Sequence, residues 1–158
     1  MADEIERKYL VRKDTWRAEV TSTHHLDQAY LASDPDCTVR VRIADDQAYL
    51  TLKGRKTGAS APEYEYAIPL EEARDMMARL PNRGRVRKHR HHVRHAGLLW
   101  EVDEFFDANE GLIMAEVELE REDQDVPLPD WAGEEVTADR RYANSSLAAQ
   151  PFREWEKD

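Results

Sequence analysis

The chain has 158 residues, of which 41% are hydrophobic and 35% charged, with a formal net charge of −10. That length suits one domain, residues 1–158, able to bury roughly 70% of its unfolded surface, and the acidic balance excludes a general nucleic-acid or anionic-membrane surface. The single cysteine, Cys37, excludes an internal disulfide and a cysteine-rich zinc site; no apolar run nears the ~20 residues of a membrane helix and the charged N-terminus does not read as a signal peptide, so a cytoplasmic setting is expected.

Residues 3–11 open a series of segments with period two. In "EIERKYL", Glu4, Glu6 and Lys8 alternate with Ile5, Arg7 and Tyr9, so a strand puts two carboxylates and an ammonium on one face. Strands follow at 24–32 ("HHLDQAYLA"), 38–43 ("TVRVRI") and 48–53 ("AYLTLK"). Asp45-Asp46 reads as a two-residue turn that sets Arg40 opposite Thr51 and Arg42 opposite Tyr49. The basic residues, Lys53 included, then share one face, and Val39, Val41, Ile43, Leu50 and Leu52 the other. After a loop of small residues over 54–62, Glu63 and Glu65 in the strand 63–68 join the charged face only if that loop has an odd effective length or a bulge.

"LEEARDMMARL", between Pro69 and Pro81, spaces Leu70, Ala73, Met76, Met77 and Leu80 as a helix does. Strands resume at 86–94, 98–105 and 112–120. A turn at Ala96-Gly97 sets Arg90 opposite Asp103 and His92 opposite Glu101, with Lys88 on the same side. An even loop centred on Asn109-Glu110 sets Asp103 opposite Glu116 and Glu101 opposite Glu118, with Glu120 further along that face. Carboxylates facing each other destabilise a strand pair, and a divalent cation between them turns the repulsion into ligation. His89 and His91 share a face, but His92 points away and no cysteine is near, so zinc is not expected there. His24 and His25 read as strand-surface residues.

Residues 121–135, with two prolines, read as an irregular return to a last helix within 137–149, capped by Thr137 or Asp139. Asp139, Tyr142 and Asn144 read as capping and packing residues there. In the tail, Phe152 and Trp155 fit either a short helix over one mouth of a barrel or a frayed end.

Eight antiparallel strands can close into a barrel, which removes their edges. An open sandwich with its charged face in water is the simpler alternative for any one strand. The charges, however, are segregated by strand: basic in 38–53 and 86–90, acidic in 3–6, 63–65 and 101–120. The expected fold is therefore α+β, an eight-stranded antiparallel closed barrel with a charged interior and helices packed outside. Unpaired charges cost several kcal/mol each to bury, so such an interior must be wet and serve a charged ligand. Arginine and lysine facing carboxylates fit a phosphate chain with its metal.

The ordered set "EIERK", "VRVR", "LTLKG", "EYEY", "KHR", "EVDEF", "EVELE" and "DRRYANSSLA" resembles the CYTH, or triphosphate tunnel metalloenzyme, superfamily over nearly all of residues 3–149, in its short bacterial inorganic triphosphatase form. The resemblance implies an enzyme that uses Mg2+ or Mn2+, with two ions during turnover, to hydrolyse a small-molecule triphosphate inside the barrel. It makes Glu4, Glu6, Glu116, Glu118 and Glu120 metal ligands, with Glu63, Glu65, Glu101 and Asp103 supporting a second ion or a water. Arg40, Arg42, Lys53, Lys88 and Arg90 become the triphosphate cradle, while Lys8 and Tyr30 orient the reacting phosphate or water and Glu6 is catalytic. A homodimer is implied by the family alone. Two other readings stay open: a class IV adenylate cyclase or nucleotide or thiamine triphosphatase, and a non-catalytic polyphosphate-binding module.

Overall fold

The computed structural model describes residues 3–155. Strands run over β1 (Asp3–Val11), β2 (Val20–Asp34), β3 (Cys37–Ala44), β4 (Gln47–Gly54) and β5 (Ser60–Ile68), then α1 (Leu70–Arg79), β6 (Arg85–His95), β7 (Leu98–Phe105), β8 (Ile113–Glu118), β9 (Ala132–Glu135) and α2 (Asn144–Ala149). Neighbours follow the order β5-β4-β3-β2-β6-β7-β8-β1-β9, and β5 also pairs with β1. That last pairing, Glu4 opposite Ala61, closes β1 to β8 into an eight-stranded antiparallel barrel. One edge of β1 is divided. β5 takes residues 3–5, and β9 covers the stretch from Tyr9 to Val11 that β5 does not reach.

The hairpin registers agree with the alternation in the sequence. Arg40 faces Thr51 and Arg42 faces Tyr49; Arg90 faces Asp103 and His92 faces Glu101. Ala96 and Gly97 both take positive φ, 50° and 80°, the twist a two-residue hairpin needs. The loop before β5 has the odd length required, so Lys53 faces Glu63 and Thr51 faces Glu65. The β7–β8 register differs from the expected one by two residues. Glu101 faces Glu116 and Asp103 faces Met114, because a 3-10 turn at Asp107–Asn109 and positive φ at Asp107 and Gly111 centre the loop one residue earlier. An even slip keeps parity, so all four carboxylates stay on the inner face.

Apolar residues lie mainly outside the barrel. Trp16, Trp100 and Trp131 are fully buried with Val93, Val102, Ala115 and Val117 under the 3-10 turn Thr15–Glu19 and the segment before β9. On the next flank α1 lays Ala73 and Met77 over Ala29, Val41 and Ala48. A third cluster closes one end, where inward positions turn apolar: Val86, Phe105, Leu112 and Met114 pack against Leu147 of α2. Each such side chain, fully buried, stabilises the fold by about 1.5–3 kcal/mol.

The last helix starts later than the sequence suggests. The Asp139 carboxylate accepts from the Arg141 amide and caps a separate 3-10 turn, Arg140–Tyr142, and extended Ala143 then breaks the chain before α2. Gly84 lets α2 seat against the barrel end, since a Cβ there would lie 2.2 Å from the Ala148 carbonyl oxygen. Over 150–158 the described part ends at Trp155. Phe152 and Trp155 pack on the end cluster, the Phe152 amide donates to Asn109 Oδ1 at 2.9 Å, and neither ring lines the interior cavity. The tail is thus a brace on the closed end. Truncation after Gln150 is expected to lower stability by about 2–4 kcal/mol in a denaturant melt and to leave the KM for substrate unchanged; a raised KM would instead mark a lid.

Candidate active site

The barrel encloses a cavity of about 610 Å³, within the range of small-molecule sites. Strand order divides its wall into two arcs. β5, β1, β8 and β7 are consecutive and supply Glu63, Glu65, Glu4, Glu6, Glu118, Glu116 and Glu101. β4, β3, β2 and β6 complete the circle with Lys53, Arg40, Arg42, Lys88 and Arg90, and Tyr30 stands among them. The charge segregation read along the sequence is therefore segregation in space.

On the acidic arc like charges meet directly. Glu6 faces Glu118, and Glu101 faces Glu116. Burial, with Glu6 close by, pushes the Glu116 carboxyl up; burial with Glu4, Glu101 and Glu6 does the same to Glu118. Glu63 is pushed to about 7 by burial and by Glu4. Carboxylates held above their ordinary range lack sufficient positive charge, and all are oxygen donors, so this set fits a hard divalent cation. Lys8 gives partial relief, 3.9 Å from Glu6 and from Glu116. Lys53 donates to Glu4 Oε1 at 2.6 Å and lies 3.7 Å from Glu6; burial would lower its pKa, but Glu6 and Glu4 overcome that and hold it above the lysine range.

The basic arc is the mirror case. Arg42 donates to Gln28 Oε1 at 2.9 Å and has no carboxylate within ion-pair distance among the described residues. Burial, then Arg40 and Arg90, lower it to about 10. The Arg40 Nε is buried without a hydrogen-bond partner, while its Nη2 reaches Thr51 at 3.2 Å and Glu65 at 3.5 Å. Two guanidiniums short of acceptors inside a barrel are a site for an anion.

Asp103 and Glu120 stand apart from the other expected residues. Asp103 is fully buried behind the cavity wall, where its oxygens accept from Lys88 at 2.7 Å and from Arg90 at 2.9 Å twice. Those contacts outweigh burial and hold it ionised far below the usual range. Glu120 is exposed beyond the end of β8 and does not line the cavity. Lys88, fully buried, is lowered to about 8 by burial, which Asp103 only partly offsets and Arg90 reinforces.

Asn144 and Lys56 line the cavity and were not anticipated as site residues. Asn144, read from sequence as a packing residue, brings Oδ1 to 2.7 Å from Lys88 Nζ and accepts from Gln28 Nε2 at 3.3 Å. Gln28 also donates to the Tyr30 hydroxyl at 3.0 Å, so one amide links Tyr30, Arg42 and α2. Lys56, from the small-residue loop, donates to the Thr137 carbonyl at 2.9 Å and is lowered by burial and by Lys8. Their signal lay in "DRRYANSSLA" and "GRKTG", each with a polar residue that helix or turn formation alone does not require.

Residues 2–149 match the CYTH domain family. The chain belongs to that family. It is 41% identical over 157 residues to an inorganic triphosphatase of Acetivibrio thermocellus, covering 99% of this chain and 100% of the relative. It is 36% identical over 149 residues to an inorganic triphosphatase of Nitrosomonas europaea, covering 92% and 96%. The crystal structure of an inorganic triphosphatase superposes with a TM-score of 0.67 at 34% identity, over 94% of this chain and 96% of that one.

This CYTH barrel also holds a nitrogen-bearing cluster. His89, His91 and Glu104 bring their ligand atoms within 4.8 Å of one another, close enough to hold a metal ion. The sequence reading set zinc aside at His89 and His91 for want of a partner ligand, and the β6–β7 register supplies one in Glu104. No described helix is long and apolar enough to cross a membrane.

Proposed function

We propose that this chain hydrolyses inorganic triphosphate to pyrophosphate and phosphate inside the barrel, with Mg2+ or Mn2+. The observation that carries the reading is the pairing of an under-neutralised carboxylate arc with guanidiniums short of acceptors across one cavity. A metal–triphosphate complex answers both deficits. The relatives named as inorganic triphosphatases, aligned along nearly the whole chain, support it.

Glu4, Glu6, Glu63, Glu116 and Glu118 would hold the metal, which supplies charge neutralisation and a more acidic bound water. Arg40, Arg42 and Arg90 bind phosphate oxygens and stabilise charge that develops on the leaving phosphate. Lys88 donates from the wall, its ammonium aimed by Asp103 and Asn144. Lys8, between Glu6 and Glu116, is placed to meet the substrate on the carboxylate side, and Tyr30, held through Gln28, orients a phosphate oxygen or water. Asp103 is a positioning residue in this scheme. A panel of triphosphate, pyrophosphate, ATP and thiamine triphosphate, each with Mg2+ or Mn2+, tests it. Phosphate released fastest from triphosphate is expected; cyclic AMP from ATP would favour a cyclase, and binding without turnover a polyphosphate-binding module.

Lys88 also sets a pH limit. Its ammonium is the phosphate-binding form, so kcat/KM is expected to fall as pH rises through about 8. Because this pKa lies below the ordinary 10.5, the unfolded chain binds more protons between the two values. The contribution of Lys88 to stability therefore rises with pH in the window where activity falls. Lys88→Arg is expected to move the basic limb upward; a limb left in place assigns it to another group.

A further inference from the structure

On the outside of the barrel, β2, β6 and β7 gather metal-ligating side chains that the proposed hydrolysis does not use. Register sets His25 opposite His89 and His89 opposite Glu104. His91 is two residues along β6 and so shares the outward face. None of these residues lines the cavity, whereas their β6 neighbours Lys88 and Arg90 do.

We propose that His89, His91 and Glu104 form a second metal site, for a borderline divalent ion of the zinc class, with His25 beside it as a further donor. Imidazole nitrogen suits zinc, nickel and copper, whereas the all-oxygen set inside suits magnesium and manganese. The two sites divide the available metals by ligand softness.

Local contacts already orient the ligands. Thr23 Oγ1 lies 2.8 Å from His91 Nδ1, which leaves Nε2 directed at Glu104 Oε1, 3.2 Å away. Holding one ring nitrogen by a hydrogen bond so that the other can ligate is the usual arrangement around a metal-bound histidine. Arg17 occupies the other Glu104 oxygen at 3.1 Å, so Oε1 is the one left for the cluster. The His25 ring stands 5.3 Å from that of His89. Trp16, 5.0 Å from His91, and Phe106, 4.7 Å from His89, shelter the group. A bound ion ties together β6 and β7, whose inner faces carry Lys88, Arg90 and Asp103.

The test is titration of chelator-stripped protein with Zn2+ in excess Mg2+, by calorimetry, with Co2+ absorption as a second probe of nitrogen ligation. One equivalent of Zn2+ is expected, together with a higher Tm. H89A/H91A is expected to bind it at least ~10-fold more weakly, with Mg2+-dependent phosphate release retained, because neither histidine lines the cavity. Glu104→Gln, nearly the same shape, should also weaken binding and serves if the double variant does not fold. Zn2+ affinity that is absent from the parent protein, or retained in these variants, overturns the proposal. So does loss of the Zn2+ equivalent in Glu6→Gln, which would place that ion in the tunnel.

Discussion

Asp103→Ala is expected to destabilise the protein by about 3–5 kcal/mol, the cost of leaving buried charge without its partner. Asp103 is the sole carboxylate within ion-pair distance of Lys88 among the described residues, and both side chains are fully inaccessible. Arg90 is better placed, since Glu101 at 3.5 Å and Glu116 at 3.6 Å remain. The stranded charge is therefore mainly that of Lys88. A thermal melt should fall by about 6–20 °C for a chain of this size. Adding Lys88→Met should return part of the loss, because it removes the uncompensated ammonium, and such coupling is expected of residues in contact. Asp103→Ala as stable as the parent would mean that Lys88 is neutral in the folded protein. In that case the basic limb of the pH profile near 8 would also be absent.

Much of this architecture was legible because a strand has one simple period. "VRVRI" and "LTLKG" can place arginine and lysine on one face in only one way, and the two-residue turns at Asp45-Asp46 and Ala96-Gly97 fix the pairings on either side. The acidic and basic arcs follow from that arithmetic once the barrel closes. Parity also shielded the site from the register error between β7 and β8. A slip of two residues changes which carboxylates face each other but not the face they occupy. What stayed hidden depends on backbone shape or distant contact. β9, "AGEE", has no apolar alternation; it exists because β1 leaves an unpaired edge there. The start of α2 was obscured because Asp139 caps a turn that does not continue. Asn144 enters the site only because Gly84 admits the helix end to the barrel. Asp103 sits behind the wall although its parity matches Glu101, since at its level Lys88, Arg90 and the apolar end cluster fill the interior.

Glu6→Gln is expected to reduce kcat/KM for triphosphate by about 10²–10³-fold, the loss typical when a charge-stabilising group is removed from an active site, and to raise the Mg2+ concentration needed for half-maximal rate. Glutamine keeps the volume and one acceptor oxygen, so the substitution isolates charge. Glu6 is central to the acidic arc: it faces Glu118 and lies 3.7 Å from Lys53 and 3.9 Å from Lys8. Its charge also helps to raise Glu116 and Glu118, second only to burial for Glu116. Removing it relieves that repulsion while it weakens two lysine contacts, so these effects oppose each other and Tm should move by only a few degrees. Activity and stability are thus expected to separate in Glu6→Gln, whereas in Asp103→Ala they fall together. Arg42→Ala supplies the complementary test on the basic arc, where a guanidinium with no carboxylate within ion-pair distance among the described residues contributes to substrate binding and little to folding. Its loss should appear chiefly as a raised KM. If folded Glu6→Gln and Arg42→Ala proteins both kept full metal-dependent phosphate release, the chemistry could not lie between these two arcs.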